Sequence, residues 1–342
     1  MRLPLSWLLA FTTAALALLL LGSLATGPMT LTLGESLRAL FAGQESGIES
    51  HKLLIVQEIR LPRTLLCIAV GGILGLCGAV MQGLFRNPLA DPGIIGVSGG
   101  AALGAALAIV LLAPLGESLQ QLLGVGLLPL LAFLGGALTT TLVYLLGTRE
   151  GGTSVTVMLL AGVAITALSG AVIGLLTYLA DDQMLRNLSL WQMGTLAAGK
   201  PADVALALLT LAALLWLFMR DANPLNALLL GEGEARHLGV NVQSLKRRLI
   251  LLTAAGVGVA VAVSGMIGFV GLVVPHLVRL LAGPNHVRLL PLSALLGAAL
   301  LLAADMLART LLAPAELPVG IITALLGAPF FIWLLVKGRR AL

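Results

Sequence analysis

Two short motifs have residue types that could support enzymatic chemistry, and the first is GVSGG from Gly96 to Gly100. It fits the GxSxG pattern of serine hydrolases and the shorter GxSG pattern of intramembrane serine proteases. Ser98 would be the nucleophile, and His276 would be the base that takes its proton. Gly and Ser are also common packing residues in membrane helices, and nothing in the sequence fixes Ser98 beside His276. We therefore favour packing and keep an intramembrane protease as an alternative function.

The second motif, GTLAAGKP from Gly194 to Pro201, is one residue short of a phosphate-binding GxxxxGK[ST] loop. Pro201 stands where a Ser or Thr would hold magnesium. The topology below also puts this segment outside the cell, where ATP is absent. We predict that the chain does not hydrolyse ATP and binds no cofactor.

The remaining reactive residues favour structural roles. Cys67 and Cys77 lie ten apart in one apolar segment without a CxxC pattern or a neighbouring His, so neither a metal site nor a disulfide is indicated. Asp305 and Arg309 lie four apart on a predicted helix and can pair across one turn, which lowers the cost of placing either charge near a membrane.

The composition indicates an integral membrane protein. Of 342 residues, 59% are hydrophobic and 10% are charged, and the mean hydropathy is +1.06, whereas soluble domains carry about 25% charged residues. With 41 glycines and only 4% aromatic residues, the chain suits closely packed helices better than a barrel. The net charge of +5 is a topology signal and does not indicate nucleic-acid binding, because the cations fall in loops assignable to one side.

The apolar segments predict an all-α polytopic membrane fold with about ten transmembrane helices in a single domain, 1–342. The first run, Leu5 to Leu24, is too long for the h-region of a signal peptide and is long enough to span. The ten segments are 5–26, 62–84, 94–114, 122–146, 154–179, 202–219, 249–265, 268–283, 290–312 and 318–336.

Clustered Lys and Arg set the predicted orientation, because they mark the cytoplasmic side of membrane proteins. They place both termini and the polar region at about 220–248 in the cytoplasm. Segments 27–59, 181–201 and 313–317 then face outward. Within the polar region, the stretch LGEGEARHLGV, from Leu230 to Val240, is charged and compatible with a helix, which indicates a docking surface.

Long motifs in two parts of the chain carry a family resemblance. From Arg60 to Gly104 the chain reads RLPRTLLCIAVGGILGLCGAVMQGLFRNPLADPGIIGVSGGAALG. Between Gly265 and Lys337 it contains GMIGFVGLVVPHLVRLLAG, LLAADMLAR and AELPVGIITALLGAPFFIWLLVK. With LGEGEARHLGV between them, these motifs closely resemble the permease subunits of ABC importers for iron chelates, haem and cobalamin.

The resemblance implies a type II importer permease that works as a homodimer in the bacterial inner membrane. Its partners would be a second copy of the chain, two ATP-binding cassette subunits that bind ATP with magnesium, a periplasmic substrate-binding protein and membrane lipid. The polar stretch would supply the coupling helices, although a merely solvated face is the alternative. The coupling residues implied are Leu230, Gly231, Glu232, Glu234, Ala235, Arg236, Leu238 and Gly239.

Two further groups of residues follow from the resemblance. Arg60, Arg63 and Arg309, at outward helix ends, would meet carboxylates of the binding protein, because guanidinium groups suit bidentate pairing. The alternative is snorkelling or, for Arg309, pairing with Asp305. The cytoplasmic gate would include Asn87, Leu89, Thr153, Ser154 and Thr156, although small polar residues at a helix start also serve as caps.

The resemblance is strongest to the haem branch, and a ferric siderophore or cobalamin is the alternative substrate. A large, rigid, partly apolar ligand needs a wide path lined by small or soft side chains, which Gly, Ala, Leu and Met provide. Four methionines could contact haem or serve only in packing: Met81, Met184, Met193 and Met266. A proton-coupled transporter would need ionisable residues within its spans, and these are nearly absent.

Overall fold

A computed structural model describes residues 4–29, 31–41, 49–112, 126–149, 152–197 and 199–339. This part of the chain is almost entirely helical. Its helices are α1 (Leu5–Ala25), α2 (Leu33–Phe41), α3 (Ser50–Leu84), α4 (Val97–Val110), α5 (Leu127–Gly147), α6 (Val155–Leu179), α7 (Asp182–Gln192), α8 (Pro201–Arg220), α9 (Ala222–Leu229), α10 (Glu232–His237), α11 (Val242–Ser264), α12 (Val270–Ala282), α13 (His286–Thr310) and α14 (Val319–Arg339). Two short strands, β1 (Thr148–Arg149) and β2 (Gly152–Thr153), form an antiparallel pair between α5 and α6.

Each of the ten predicted apolar segments corresponds to one helix. Seven of these helices, α1, α3, α5, α6, α8, α11 and α13, are long and apolar enough to cross a membrane, and α4, α12 and α14 are shorter apolar helices. The predicted starts of α3 and α11 were wrong, because α3 begins at Ser50 and α11 at Val242. Both helices continue into polar sequence, since helix formation outside the apolar layer does not require apolar side chains. The division into a single domain stays a prediction.

Helix α3 lies at the centre of the bundle, and 89% of its most apolar window is buried. Glycines permit this burial by letting backbones approach closely, which is how helices associate in membranes. A Cβ atom added at Gly75 would lie 2.3 Å from the carbonyl oxygen of Ser293 on α13. At Gly78 it would lie 1.9 Å from the carbonyl oxygen of Gly271 on α12. These two positions therefore exclude any side chain.

Three helices lie at the periphery of the single chain. Only 17% of the apolar windows of α1 and α6, and 22% of that of α8, is buried. On α6, Cβ atoms added at Gly170 and Gly174 would meet no atom within 4 Å. Among the described residues, none packs on the face of α6 that contains Gly170 and Gly174.

The three segments predicted to face outward meet at one end of the bundle, which we call the Asp305 end. Gly320 N donates to Met193 O at 3.1 Å, and Thr195 N donates to Ser264 O at 2.8 Å. The guanidinium of Arg60 donates to the carbonyl oxygens of residues 24, 25 and 29. Arg63, shortly after the first segment, donates to Glu316 in the third at 2.7 Å. Together these contacts show that the three segments share one end.

The polar region about 220–248 lies at the opposite end, which we call the Glu232 end. There Asn226 Oδ1 accepts a hydrogen bond from the backbone N–H of His286 at 2.8 Å. Lys246 Nζ donates to the carbonyl oxygen of Thr153 at 3.1 Å, which joins α11 to β2. That this end faces the cytoplasm stays a prediction.

Candidate coupling, docking and gate sites

Asp305 is the centre of a buried charge cluster at the Asp305 end. Its carboxylate is fully buried and accepts from Arg63 Nε at 3.0 Å and Nη2 at 2.9 Å. Arg309 Nε lies 3.0 Å from the other carboxylate oxygen of Asp305, one helical turn away. Two guanidinium groups therefore share one buried carboxylate, which satisfies the requirement that buried charges be paired.

Further acceptors form hydrogen bonds with the three arginines of this end, Arg60, Arg63 and Arg309. Arg63 Nη1 donates to Glu316 at 2.7 Å, and the side chain of Glu316 is 34% exposed. Arg309 Nη2 donates to the hydroxyl of Ser23 at 2.8 Å. Arg60, which is 4% exposed, donates to Leu24 O at 2.7 Å. The arginine that reaches nearest to solvent is therefore Arg63, through Glu316.

These contacts change the argument for docking at Arg60, Arg63 and Arg309. The sequence predicted these arginines at outward helix ends, where positive charge is unfavourable, and so predicted an external carboxylate partner. In the structure all three have hydrogen-bond acceptors within the chain. The alternative pairing of Arg309 with Asp305 is present in the structure. Binding-protein docking stays a prediction, and it requires these side chains to exchange partners.

The predicted coupling residues divide into four groups around α10, of which Glu232 forms the last. Glu234 and Arg236 are exposed, and Leu230 and Leu238 on either side of α10 are 68% and 63% exposed. Ala235 is fully buried and holds α10 against the bundle. Positive φ angles at Gly231 (119°) and Gly239 (83°) form the turns at the two ends of α10, a conformation that glycine adopts without strain.

Glu232, the first residue of α10, is only partly exposed and pairs with two cations. Its Oε1 atom accepts from Lys246 Nζ at 2.6 Å, and its other carboxylate oxygen lies 3.8 Å from Arg236. Lys246 is only 2% exposed. The sequence identified Lys246 only as part of a cationic cluster, because its partners lie 14 and 93 residues away along the chain.

The predicted gate residues lie in two separate regions of the bundle. Thr153 is 7% exposed beside α11, whereas Leu89 borders a hollow with Pro88, His276 and Phe330 between α12 and α14. Asn87 is exposed, and its Oδ1 atom accepts from the backbone N–H of Leu89 at 2.9 Å.

The polar residues that begin α6 have local contacts of their own. Ser154 is the N-cap of α6, and its hydroxyl accepts from the backbone N–H of Val157 at 3.5 Å. Thr156 is exposed one residue into the helix. The capping alternative is therefore present for Ser154, and the gate role of all five residues stays a prediction.

The pair proposed for protease chemistry does not form a nucleophile and base. Within the part of the chain that the structure describes, the Nδ1 atom of His276 is buried without a hydrogen-bond partner. Its ring packs edge-on against Phe330, with centroids 6.3 Å apart. Ser98 lies in the first turn of α4, after Gly96, whose φ angle is 84°. Packing therefore accounts for His276, and among the described residues no hydrogen bond joins it to Ser98.

The candidate substrate-contacting methionines lie in different environments, and the cavity beside α14 is small. Met81 is fully buried and packs in the core, whereas Met193 is 41% exposed at the Asp305 end. An apolar cavity of about 180 Å³ lies between α12, α13 and α14 and is lined by Phe269, Leu300 and Phe330. It is smaller than the roughly 300 Å³ at which small-molecule sites begin.

Ten apolar helices, the exposed polar helix α10 at one end and a buried arginine cluster at the other are the features of a polytopic membrane permease. The FecCD transport family model matches residues 15–337, and the chain belongs to that family. It is thus an ABC transporter permease. The protease alternative has no support beyond its short motif.

Curated relatives cover nearly the whole chain. The hemin transport system permease protein HmuU of Yersinia pestis is 47% identical over 336 residues, which are 97% of this chain and 96% of that protein. The vitamin B12 import system permease protein BtuC of Vibrio cholerae is 43% identical over 285 residues, or 83% of each chain. The chain is therefore similar to both haem and cobalamin permeases.

A solved structure agrees with this family assignment. It is described as an inward-facing conformation of a metal-chelate type ABC transporter, and it superposes with a TM-score of 0.82 at 34% identity, over 97% of this chain and 99% of that chain. PsaBC from Streptococcus pneumoniae, at 20% identity and a TM-score of 0.58 over 82% of this chain and 91% of that chain, shares the fold.

Proposed function

We propose that this chain forms the translocation pathway of an ATP-driven importer that carries haem into the cytoplasm. The observation that carries the proposal is the 47% identity, over 97% of the chain, to a permease named for hemin transport. Cobalamin is the second candidate, because permeases named for vitamin B12 import are 40–44% identical. A ferric siderophore is the third, since the structural relative at 34% identity is of the metal-chelate type.

A second copy of the chain is part of the proposal. The support is α6, whose exposed face includes Gly170 and Gly174. Small residues on a membrane helix let a second helix approach closely. Two copies would enclose a wider path than one chain provides.

Two ATP-binding cassette subunits, which carry ATP and magnesium, are proposed to seat on the exposed surface of α10. Leu230, Glu234, Arg236 and Leu238 offer apolar contacts flanked by both signs of charge. A conformational change follows only if the closed ATPase pair binds the two states of the permease unequally. With this assignment, the Glu232 end and both termini would lie on the cytoplasmic side of a bacterial inner membrane.

A substrate-binding protein is proposed to dock at the Asp305 end. Its carboxylates would engage Arg60, Arg63 and Arg309, with Arg63 the first to be reached because Glu316 lies at the surface. Bidentate carboxylate pairing suits guanidinium groups. A docked carboxylate would then replace Glu316 on Arg63.

Uptake into proteoliposomes tests the proposed function. The vesicles would hold the permease with its ATPase subunits, the binding protein and ATP, and iron-labelled haem, labelled cobalamin and a ferric siderophore would be compared. ATP-dependent uptake of haem alone is the expected result. Uptake of another ligand alone would retain the importer and change its substrate, and uptake that does not require ATP would contradict the importer itself.

A further inference from the structure

Lys246 lies where three separate elements of the Glu232 end meet. Its ammonium donates to Glu232 on α10 at 2.6 Å and to the carbonyl oxygen of Thr153 on β2 at 3.1 Å, while its own backbone belongs to α11. The residue is 2% exposed. A buried ammonium is unfavourable unless it is paired and hydrogen-bonded, so both contacts must persist while Lys246 stays buried.

Both polar backbone groups of Thr153, the N–H and the carbonyl oxygen, form hydrogen bonds with side chains of α11. Its N–H donates to Gln243 Oε1 at 3.1 Å, one turn before Lys246, and its carbonyl oxygen accepts from Lys246. Thr153 lies two residues before α6, and the residue between them, Ser154, is the N-cap of that helix. The segment that leads into α6 is therefore clamped by the first two turns of α11.

Contacts other than Lys246 join these elements only lightly. Helix α10 and strand β2 each pack against α11 over a small area. The hydrogen bond to Glu232 is charge-assisted, and such bonds are about twice as strong as neutral ones. Lys246 thus provides a direct, charge-assisted connection between the surface proposed for the ATPase and the segment proposed for the gate.

We propose that Lys246 is a positioning residue that joins α10 to the start of α6, so that displacement of α10 by the ATPase subunit moves residues 153–156. This inference rests on the proposed function. Contact between neighbouring elements couples two sites only when both sites shift the equilibrium of the same moving element. Here the two sites are the ATPase surface and the gate. Lys246 takes part in no chemistry and acts only through Glu232 and Thr153.

The first test compares Lys246→Met and Glu232→Gln with the unchanged protein in the complete complex. Haem uptake and ATP hydrolysis would be measured in the same vesicles. We expect hydrolysis to stay within about twofold and haem moved per ATP to fall about two- to thirtyfold, the range seen when residues between coupled sites are changed. The double variant should be no worse than the more severe single variant, because both remove one link.

Arg288→Met is the matched control, because Arg288 is an exposed cation at the same end and lies outside the clamp. It should leave haem moved per ATP unchanged. A wild-type ratio in both Lys246→Met and Glu232→Gln would overturn the inference. So would an equal fall in uptake and hydrolysis, because that result would assign Lys246 to ATPase assembly. Glu232→Gln keeps the test valid if Lys246→Met fails to fold.

A second measurement requires no transported ligand. Spin labels at His237→Cys on α10 and Leu160→Cys on α6, both exposed, would report the separation of the two helices after Cys67 and Cys77 are replaced by Ala. With a non-hydrolysable ATP analogue on the ATPase subunits, we expect one narrow distance distribution, which broadens in Lys246→Met. An unchanged distribution would contradict the link. Absence of haem uptake by the unchanged protein would contradict only the proposed function.

Discussion

The Asp305 end and the Glu232 end both bury charge, but they bury it between different kinds of element. Asp305 is fully buried, and its two arginines come from α3 and α13, which pack together along glycine faces. Glu232 is 34% exposed, and its partner Lys246 joins α10, α11 and β2, which touch only lightly. Ion pairs between two tightly packed helices stabilise one relative position of those helices. An ion pair between loosely packed elements can instead make the elements move together.

The largest expected effect is the loss of stability in Asp305→Asn. Removing the carboxylate leaves Arg309 buried without a counter-charge and Arg63 with only the partly exposed Glu316. Breaking a buried pair in this way costs about 3–5 kcal/mol. The measurement is the free energy of unfolding in detergent. Glu316→Gln is the control, because a partly exposed pair contributes only about 0–1 kcal/mol. Equal losses in the two variants would remove the distinction between buried and surface carboxylates at this end.

The next effect separates docking from stability at the same end. Replacing the cluster as a whole, with Arg63→Met, Asp305→Leu and Arg309→Met, should recover most of the stability lost in Asp305→Asn, because apolar replacement of a buried charge cluster is often neutral or stabilising. Affinity for the binding protein should fall by at least about thirtyfold, since losing buried interface charge pairs costs roughly 2 kcal/mol or more. Unchanged affinity, measured by surface plasmon resonance, would limit the arginines to a structural role.

A smaller effect on stability is expected at the Glu232 end. Glu232→Gln should change the free energy of unfolding by no more than about 1 kcal/mol, because the Glu232 side chain is partly exposed. The measurement is denaturant unfolding alongside the uptake assay. A loss as large as that of Asp305→Asn would show that the two ends do not differ in the way they use charge.

The smallest effect concerns the start of α6. Ser154→Ala should cost about 0.5 kcal/mol, the lower end of the range for lost N-caps, because the capping bond is long at 3.5 Å. Thr156→Ala is the control without a capping bond. If Ser154 is only a cap, haem uptake follows stability, whereas a leak of haem in the absence of ATP would identify a gate residue.

The sequence by itself determined the membrane class, the ten apolar helices, the segments that share an end, and the family. These properties depend on local hydropathy and on long contiguous motifs, which can be read without knowing the contacts. It also identified the pairing of Asp305 with Arg309, because residues four apart on a helix are neighbours.

Only the tertiary structure decided how the charges are used. Arg63 reaches Asp305 across 242 residues of sequence, and Lys246 reaches Thr153 across 93. The packing of α3 against α13 and the fold of β2 onto α11 bring these atoms together. Hydropathy places each segment in the membrane or at one of its ends, but it does not specify which helices are neighbours, and charge pairing depends on that arrangement.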